Sequence, residues 1–329
     1  MSSARTEPGG TRILFVTASG IGDAVLSTGV LDHLIRSNSG ARVTIACGPV
    51  AAPLFNYVPG LERLIILEKR PLSFHWLDLW AKCVGRYWDV VVDFRDAPLT
   101  YLLGRRRRLS VTRHNRPERQ VERYASALSL DRPPAPTLWI DDRIAGEAAN
   151  LIPGDSKVLA IGPTANWRAK TWRAKHFAEL TDRLTGPGGI LPGAKVALFG
   201  HESERPMAQE LIDGIPQSQL IDLMGRIDLL TVYGCLQRCD FYVGNDSGLM
   251  HMAAASGTPT LGLFGPTRES RYGPWGHHTA VVRTMVPFEE IFPPGFDHVN
   301  SGSLMDSLTV EMAEQGAREL WSRAEGIAA

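Results

Sequence analysis

The stretch that decides the fold is RILFVTASGIGDAVLSTGVLDHLIRSNSGARVTIAC, residues 12–47. It contains two apolar runs, RILFVT and RVTIAC, on either side of a glycine turn and a helical pattern from about Asp23 to Arg36. The helical spacing is carried by Leu26, Val30, Leu31, Leu34 and Ile35. Runs that are apolar throughout are typical of strands covered on both faces of a parallel sheet. The stretch therefore predicts a β-α-β unit.

The same alternation continues along the chain and restarts once. Later apolar runs are RLIILE (63–68), WDVVVDF (88–94), KVLAIGP (157–163), KVALFG (195–200), QLIDL (219–223), DFYVG (240–244) and TLGLFG (260–265). The restart follows a proline cluster, RPPAPT, and a turn, IPGD. A chain of 329 residues is long enough for two such domains. We expect an α/β protein with two Rossmann-like, doubly wound domains, residues 1–154 and 155–329, facing across a ligand-binding cleft.

Composition and charge limit the partners of the chain. Lys plus Arg and Asp plus Glu both number 35, so no overall field favours nucleic acid. The first ten residues lack the apolar region of a secretory signal, and no apolar run approaches the roughly 18 residues of a membrane span. The four cysteines do not have metal-site spacing, and Cys235 and Cys239 are expected in the core on one helical face. We therefore predict a cytoplasmic protein without a metal site.

The most informative motif is VGNDSGLMHMAAASGTPTLGLFGPT, residues 243–267. A strand ends here, a polar loop follows, and a helix of small residues begins near Gly248. The N–H groups and dipole at the start of such a helix favour an anion, and His251 on its first turn would reach the same phosphate or a sugar oxygen. The alternative is that Asp246 and Ser247 only cap the helix and that His251 is an interior side chain.

This motif resembles the donor-site signature of the bacterial lipopolysaccharide heptosyltransferases, glycosyltransferase family 9, D-[ST]-G-x-x-H-x-A-A-x-x-G-x-P followed by Phe-Gly-Pro-Thr. The matching positions are Asp246, Ser247, Gly248, His251, Ala253, Ala254, Gly257, Pro259 and 264–267. The resemblance extends to GIGDAVLST (20–28), DVVVDFRD (89–96) and GPTANWRAKTW (162–172). It therefore covers most of the chain.

The resemblance implies the GT-B fold, with an N-terminal acceptor domain, a C-terminal nucleotide-sugar domain and usually a last helix that crosses back to the first domain. It implies inverting, metal-independent transfer of a heptose from ADP-heptose to the inner core of lipopolysaccharide, with no cofactor beyond this nucleotide-sugar co-substrate. Asp23 matches the family's candidate general base, and Thr164 and Lys170 match positions that contact the donor phosphates. Asp246 would orient its loop or contact the sugar. Such chemistry needs a base on the face opposite the leaving nucleotide and a cation for the departing diphosphate.

Each of these roles has a simpler alternative. Asp23 could only cap its helix, and the basic residues around Lys170 could form a solvated helix start. The segment GHESER supplies a carboxylate for ribose hydroxyls, for which we choose Glu202 although Glu204 is equally reachable. In LMGRIDLL, Ile227 is the expected neighbour of the adenine.

The basic stretch GRRRRLSVTRHNRPERQVERY, residues 104–124, lies in the first domain. The candidate acceptor-binding residues are Arg105, Arg106, Arg107, Arg108, Arg113 and His114. If the resemblance holds, they would contact phosphates of a lipid-linked core acceptor or the anionic inner membrane, and a solvated face is the alternative. Nucleic acid is not expected, because interleaved stacking aromatics are missing.

Three other functions remain to be weighed. A GT-B transferase with another donor or acceptor is favoured by the segment 286–303, which lacks the cysteine that many family members carry there. A non-catalytic nucleotide-sugar binding protein is disfavoured by the presence of both Asp23 and Lys170. A dinucleotide enzyme is disfavoured because the third glycine of its fingerprint is replaced by Val25.

Overall fold

The computed structural model describes residues 10–111, 119–291 and 301–328. The chain divides into two compact units, Met1–Trp139 and Ile140–Ala329. Each unit is built around its own parallel sheet with helices in the connections. The predicted α/β class with two doubly wound, Rossmann-like units is thereby confirmed.

The first unit contains a five-stranded sheet. Its elements are β1 (Arg12–Val16), α1 (Ile21–Arg36), β2 (Arg42–Cys47), β3 (Leu61–Ile66), α2 (His75–Cys83), β4 (Trp88–Asp93), β5 (Arg105–Ser110) and α3 (Gln120–Ser126). The strand order is β3-β2-β1-β4-β5, and all pairs are parallel. The order reverses between β1 and β4, so the loops after these strands diverge there and leave room for a ligand.

Burial explains why the first β-α-β stretch folds as predicted. Residues 13–16 of β1 and 43–47 of β2 are buried, since helices and loops cover both faces of the sheet. The helix α1 begins earlier than Asp23, because Gly20 in extended conformation is its N-cap. Its buried residues run from Ala24 to Leu34 and pack the helix on the sheet.

The second unit contains a six-stranded sheet. Its elements are α4 (Asp142–Leu151), β6 (Val158–Gly162), α5 (Ala174–Thr185), β7 (Lys195–Leu198), α6 (Arg205–Gly214), β8 (Leu220–Asp222), α7 (Leu229–Leu236), β9 (Phe241–Asn245), α8 (Gly248–Ser256), β10 (Thr260–Phe264), α9 (Glu269–Tyr272), β11 (Thr279–Arg283), α10 (Phe288–Ile291) and α11 (Val310–Ala328). The order is β11-β10-β9-β6-β7-β8, again all parallel. The switch point lies between β6 and β9.

The division between the units falls before α4, whereas the sequence places it at 154, after that helix. The reason is that α4 packs against α7. A Cβ on Gly234 would lie 3.0 Å from the Cβ of Ala148, so the glycine allows the two helices to approach closely. Asp141 caps α4 by accepting a hydrogen bond from the N–H of Ile144 at 2.9 Å.

The last helix also packs within the second unit. The helix α11 contacts α5, β10 and β11, and its Ala313, Ala317 and Leu320 are buried in the core of that unit. The family resemblance implies that the last helix also reaches the first domain, and this stays a prediction. The small alanines allow α11 to lie close to the sheet, which explains its position.

The cysteines are core residues, as the sequence predicts for Cys235 and Cys239, but α7 ends at Leu236, so these two do not share a helical face. Burial raises the pKa of Cys47 to about 12 and that of Cys83 to about 11. Such thiols stay protonated at neutral pH and are poor nucleophiles. A search of the described helices finds none that is both long and apolar enough to span a bilayer.

Candidate active site

The end of β9 and the loop after β6 meet at the switch point of the second sheet. The buried side chain of Asn245 joins them: its Nδ2 donates to the carbonyl of Pro163 and its Oδ1 accepts from the N–H of Trp172, each at 2.9 Å. Trp172 in turn donates from Nε1 to the carbonyl of Leu308 at 2.9 Å. The loop 163–172 is therefore held against the strand that carries the predicted anion site. The sequence analysis did not assign Asn245 a role, although its position at a strand end was visible.

Lys170 and Asp246 form an ion pair at this edge of the sheet. The ammonium Nζ of Lys170 lies 3.4 Å from Oδ2 of Asp246, and the two side chains are only 12% and 8% exposed. The same ammonium lies 5.4 Å from the ring centroid of Trp167. Tight charged hydrogen bonds measure about 2.7–2.9 Å, so this pair is loose for two charges so well shielded from water. An incoming anion can therefore compete with Asp246 for Lys170.

The helix α8 begins beside this pair. Ser247 is its N-cap residue in extended conformation, but the serine side chain makes no capping hydrogen bond to the first turn. The simple capping alternative therefore does not describe Ser247, and the N–H groups at the start of α8 are not satisfied by it. His251 is buried one turn into the helix. Its backbone N–H donates to the carbonyl of Ser247 at 3.4 Å.

Two glycines at the ends of β6 and β9 make room for a buried tyrosine beneath the site. The hydroxyl of Tyr242 would lie 2.1 Å from a Cβ on Gly162 and 2.4 Å from a Cβ on Gly244. Burial raises the pKa of Tyr242. The phenol therefore remains a neutral packing group under the motif, and any larger residue at either glycine would displace it.

The contacts of Thr164 distinguish the two glutamates of the loop after β7. The hydroxyl of Thr164 donates to Oε2 of Glu204 at 2.7 Å, and the N–H of His201 donates to the same oxygen at 3.1 Å. The carboxylate of Glu204 therefore stabilises the loop after β7 through these hydrogen bonds. Glu202 is exposed. Of the two equally reachable carboxylates, Glu202 is the one available to a ligand.

Glu202 lies directly against the loop that carries Ile227. Gly225 has a φ of +72°, and a Cβ there would come within 2.7 Å of the Cβ of Glu202. An ion pair between Arg205 of α6 and Asp222 of β8 stabilises the two loops. Burial alone would raise the pKa of Asp222, but the hydrogen bond from Arg205 lowers it overall. The residues expected to contact ribose and adenine therefore lie on adjoining loops.

Asp23 occupies the first turn of α1 in the first unit. Since Gly20 is the N-cap, Asp23 is the third helical residue and not the cap. The helix α3 packs on α1 and places the Tyr124 hydroxyl 3.4 Å from Oδ1 of Asp23. The Tyr124 ring stacks on Phe94 with centroids 4.4 Å apart. The carboxylate is thus partly buried at the positive end of a helix and beside a phenol.

A second acid at this edge was not predicted. Asp93 ends β4 with its side chain fully buried, and it forms an ion pair with Arg108 at 3.0 Å. It also accepts hydrogen bonds from the N–H groups of Arg95 and Ala97 and from the Thr100 hydroxyl. The segment DVVVDFRD marked this strand end, but the partner Arg108 comes from the neighbouring strand β5. Arg95 donates to the Ser19 hydroxyl at 2.8 Å and so connects this loop with the glycine turn.

The candidate arginines of β5 divide into two pairs. Arg105 donates to backbone carbonyls, including that of Tyr101 at 2.6 Å, and Arg108 is held by Asp93. Arg106 and Arg107 are exposed. Arg113 and His114 lie outside the described residues. Among the residues that are described, no cluster of three or more His, Cys, Asp or Glu is arranged to hold a metal.

Comparison with known proteins identifies the family. The sequence model of glycosyltransferase family 9 (heptosyltransferase) matches residues 92–289, more than half of the chain. The lipooligosaccharide heptosyltransferase 2 of Haemophilus influenzae is 30% identical over 141 residues, which cover 42% of this chain and 39% of that protein. The lipopolysaccharide heptosyltransferase 2 of Salmonella typhimurium is 24% identical over 322 residues, covering 85% of this chain and 90% of that protein.

A solved structure shows the same fold. The ADP-heptose lipopolysaccharide heptosyltransferase II of Escherichia coli superposes with a TM-score of 0.73 at 21% identity, covering 96% of this chain and 100% of that chain. This match extends over both Rossmann-like units and supports the GT-B fold. The chain therefore belongs to glycosyltransferase family 9, and it is a glycosyltransferase.

Proposed function

We propose that this protein transfers a heptose from ADP-heptose to the inner core of lipopolysaccharide by an inverting, metal-independent displacement. The observation that carries the proposal is the loose Lys170–Asp246 pair beside the start of α8, within the part of the chain that the family model matches. The relatives named above are heptosyltransferases, and one solved neighbour is named for ADP-heptose. The second domain would bind this donor and the first the acceptor.

On the donor side, the diphosphate would lie at the N-terminus of α8 and draw Lys170 away from Asp246. Negative charge grows on the diphosphate as the bond from the anomeric carbon to the phosphate oxygen breaks. A shielded cation and oriented N–H groups stabilise that charge without the need for a metal ion. Asp246 would then orient the loop or accept a hydrogen bond from the heptose. His251 and Thr164 would complete the phosphate site, and Glu202 and Ile227 would contact ribose and adenine.

On the acceptor side, Asp23 would act as the general base. It would take the proton of the acceptor hydroxyl as that oxygen attacks the anomeric carbon from the face opposite the leaving ADP, which inverts the configuration. The nearby Tyr124 hydroxyl is placed to orient the carboxylate.

The acceptor would be a lipid-linked lipopolysaccharide core, and the enzyme would work in the cytoplasm at the inner membrane. Arg106 and Arg107 are exposed and so available to acceptor phosphates, whereas Arg105 and Arg108 are engaged within the first unit. The guanidinium fork binds phosphate through two parallel hydrogen bonds.

The test is calorimetric titration with ADP, UDP, GDP and NAD in EDTA, followed by transfer from ADP-heptose to a heptose-free core acceptor. We expect ADP to bind at least about 10-fold more tightly than the others, and EDTA to leave transfer unchanged. The anomeric configuration of the product, read by NMR, should be inverted. Preference for UDP or GDP would indicate another donor, and ADP binding without transfer would indicate a binding protein. Retention of configuration, or loss of transfer in EDTA, would refute the mechanism.

A further inference from the structure

The helix α2 has two apolar faces. Its inner face carries Leu79 and Cys83, which are buried in the core of the first unit, and Trp76 and Trp80 pack against that core. A second apolar stripe consists of Phe74, Leu77, Ala81 and Val84, spaced i, i+3, i+7 and i+10, and all four are exposed. A surface helix of a globular protein normally has one apolar stripe, directed at the core. Within the described part of the chain, the outer stripe of α2 therefore stays exposed.

Exposed apolar side chains are concentrated in and near α2. Of the ten exposed large hydrophobic side chains among the described residues, seven lie between residues 72 and 102: Leu72, Phe74, Leu77, Val84, Tyr87, Tyr101 and Leu102. The last two lie on the short helix Pro98–Leu102, which packs against α2. We call this set of seven residues the α2 face. Such a concentration of apolar surface marks an interaction site.

The tip of the α2 face is held in an unfavourable backbone conformation. Leu72 and Ser73 have φ values of +52° and +60°, a left-handed region that residues other than glycine rarely adopt in succession. This turn projects the Leu72 side chain outward, where it is 89% exposed. The chain therefore presents a leucine to water at a conformational cost, which a partner would compensate by covering the side chain.

The charges around the α2 face are mostly positive. Residues 69–87 contain four Lys or Arg residues and one acid, Asp78, a net charge of +3 (4 − 1). Arg70 pairs with Asp78 at 2.9 Å, while Lys69, Lys82 and Arg86 are exposed. Tyrosine and tryptophan prefer the boundary between lipid headgroups and acyl chains, and lysine and arginine bind anionic headgroups.

We propose that the α2 face docks on the headgroup region of an anionic lipid bilayer. Leu72, Phe74 and Leu77 insert between the headgroups, and the surrounding lysines and arginines contact lipid phosphates. A protein partner would need a hollow shaped to a protruding leucine, whereas a fluid bilayer covers such a protrusion without one. This surface shares no residue with the proposed catalytic site or with Arg106 and Arg107, and the choice of an anionic bilayer rests on the proposed function, which places the enzyme at the inner membrane.

The test is co-sedimentation of the full chain with vesicles of phosphatidylglycerol and phosphatidylethanolamine, against vesicles of phosphatidylcholine. We expect binding to the anionic vesicles, weakened when salt rises from about 0.05 M to about 0.5 M. The variant Leu72→Ser/Phe74→Ser/Leu77→Ser should bind at least about 10-fold more weakly. Met285→Ser is the control, because Met285 is also an exposed apolar side chain, at 68%, but lies in the second unit. This variant should bind like wild type.

Circular dichroism and urea unfolding show whether the triple variant is folded, and Phe74→Ser alone serves if it is not. Equal binding to both kinds of vesicle, no binding by wild type, or unchanged binding by the folded variant would overturn the proposal. A dimer by light scattering that the triple variant dissociates would overturn it too, because a second copy would then cover the α2 face.

Discussion

Asp93 ends β4 at the switch point of the first sheet, and Asp246 follows β9 at the switch point of the second. Both are buried acids, and each is paired with a cation, Arg108 and Lys170 respectively. Asp93 also accepts three further hydrogen bonds from the loop that follows it. The pair formed by Asp246 is longer, at 3.4 Å against 3.0 Å, and it lies beside the start of α8.

The comparison teaches that buried acids at the switch points of two similar sheets differ in how firmly they are held. An acid whose oxygens are occupied by four donors holds a loop in place and has little capacity left for a ligand. A loose ion pair beside a helix N-terminus can exchange its acid for a phosphate. In the first unit, the residue that we propose for the chemistry is Asp23, whose Oδ1 lies 3.4 Å from the Tyr124 hydroxyl.

The largest expected effect follows from this assignment. In Asp23→Asn the acceptor hydroxyl has no base, and we expect kcat to fall about 1,000-fold, within the range for loss of a general base. The affinity for ADP should stay within about twofold, since the proposed donor site lies in the second unit. Single-turnover transfer and calorimetry measure the two quantities.

The control for this variant is Asp32→Asn, which removes an acid from the same helix. Asp32 pairs with Arg36 on the surface of α1, and its loss should leave transfer unchanged. Near-normal turnover of Asp23→Asn would break the comparison, because the chemistry of the first unit would then lie elsewhere.

The next effect concerns the loose pair in the second unit. Lys170→Ala removes the cation that is proposed to stabilise the departing diphosphate, and we expect a loss of about 100-fold in kcat/KM. The affinity for ADP should fall as well, because the cation binds the ground state of the donor. Lys175→Ala is the matched control, since Lys175 is exposed on α5 of the same unit.

An unchanged ADP affinity in Lys170→Ala would show that the phosphate does not displace Asp246. The pair would then resemble Asp93–Arg108, a structural contact. The proposed difference between a ligand-binding pair and a structural pair would then be refuted.

The sequence predicts much of the fold because its signals are local. Apolar runs identify the buried strands, and the small-residue motif locates the start of α8 at Gly248. Pairing between strands is not local: Arg108 meets Asp93 only because β5 lies beside β4. The sequence shows a run of arginines in β5, but it does not reveal which of them form ion pairs or hydrogen bonds within the protein.

The same limit applies to the division of the chain and to the ribose site. The turn at residues 152–155 looks like a linker, but α4 before it packs on α7 and so joins the second unit. Glu202 and Glu204 are indistinguishable in sequence. Only the contact of Glu204 with Thr164, forty residues away, separates them.

The smallest expected effect tests whether Asp93 is structural. Asp93→Asn keeps the shape of the side chain but leaves Arg108 without its buried partner, so we expect a loss of about 2 kcal/mol in the free energy of unfolding. Urea unfolding measures it, with Asp96→Asn as control. Asp96 is more exposed and lies 3.5 Å from the same arginine, so its loss should cost well under about 1 kcal/mol.

At permissive temperature, transfer by folded Asp93→Asn should stay within a few-fold of wild type. A stable Asp93→Asn that has lost transfer would instead place Asp93 in the chemistry, because a purely structural acid cannot affect the rate without affecting the fold around it.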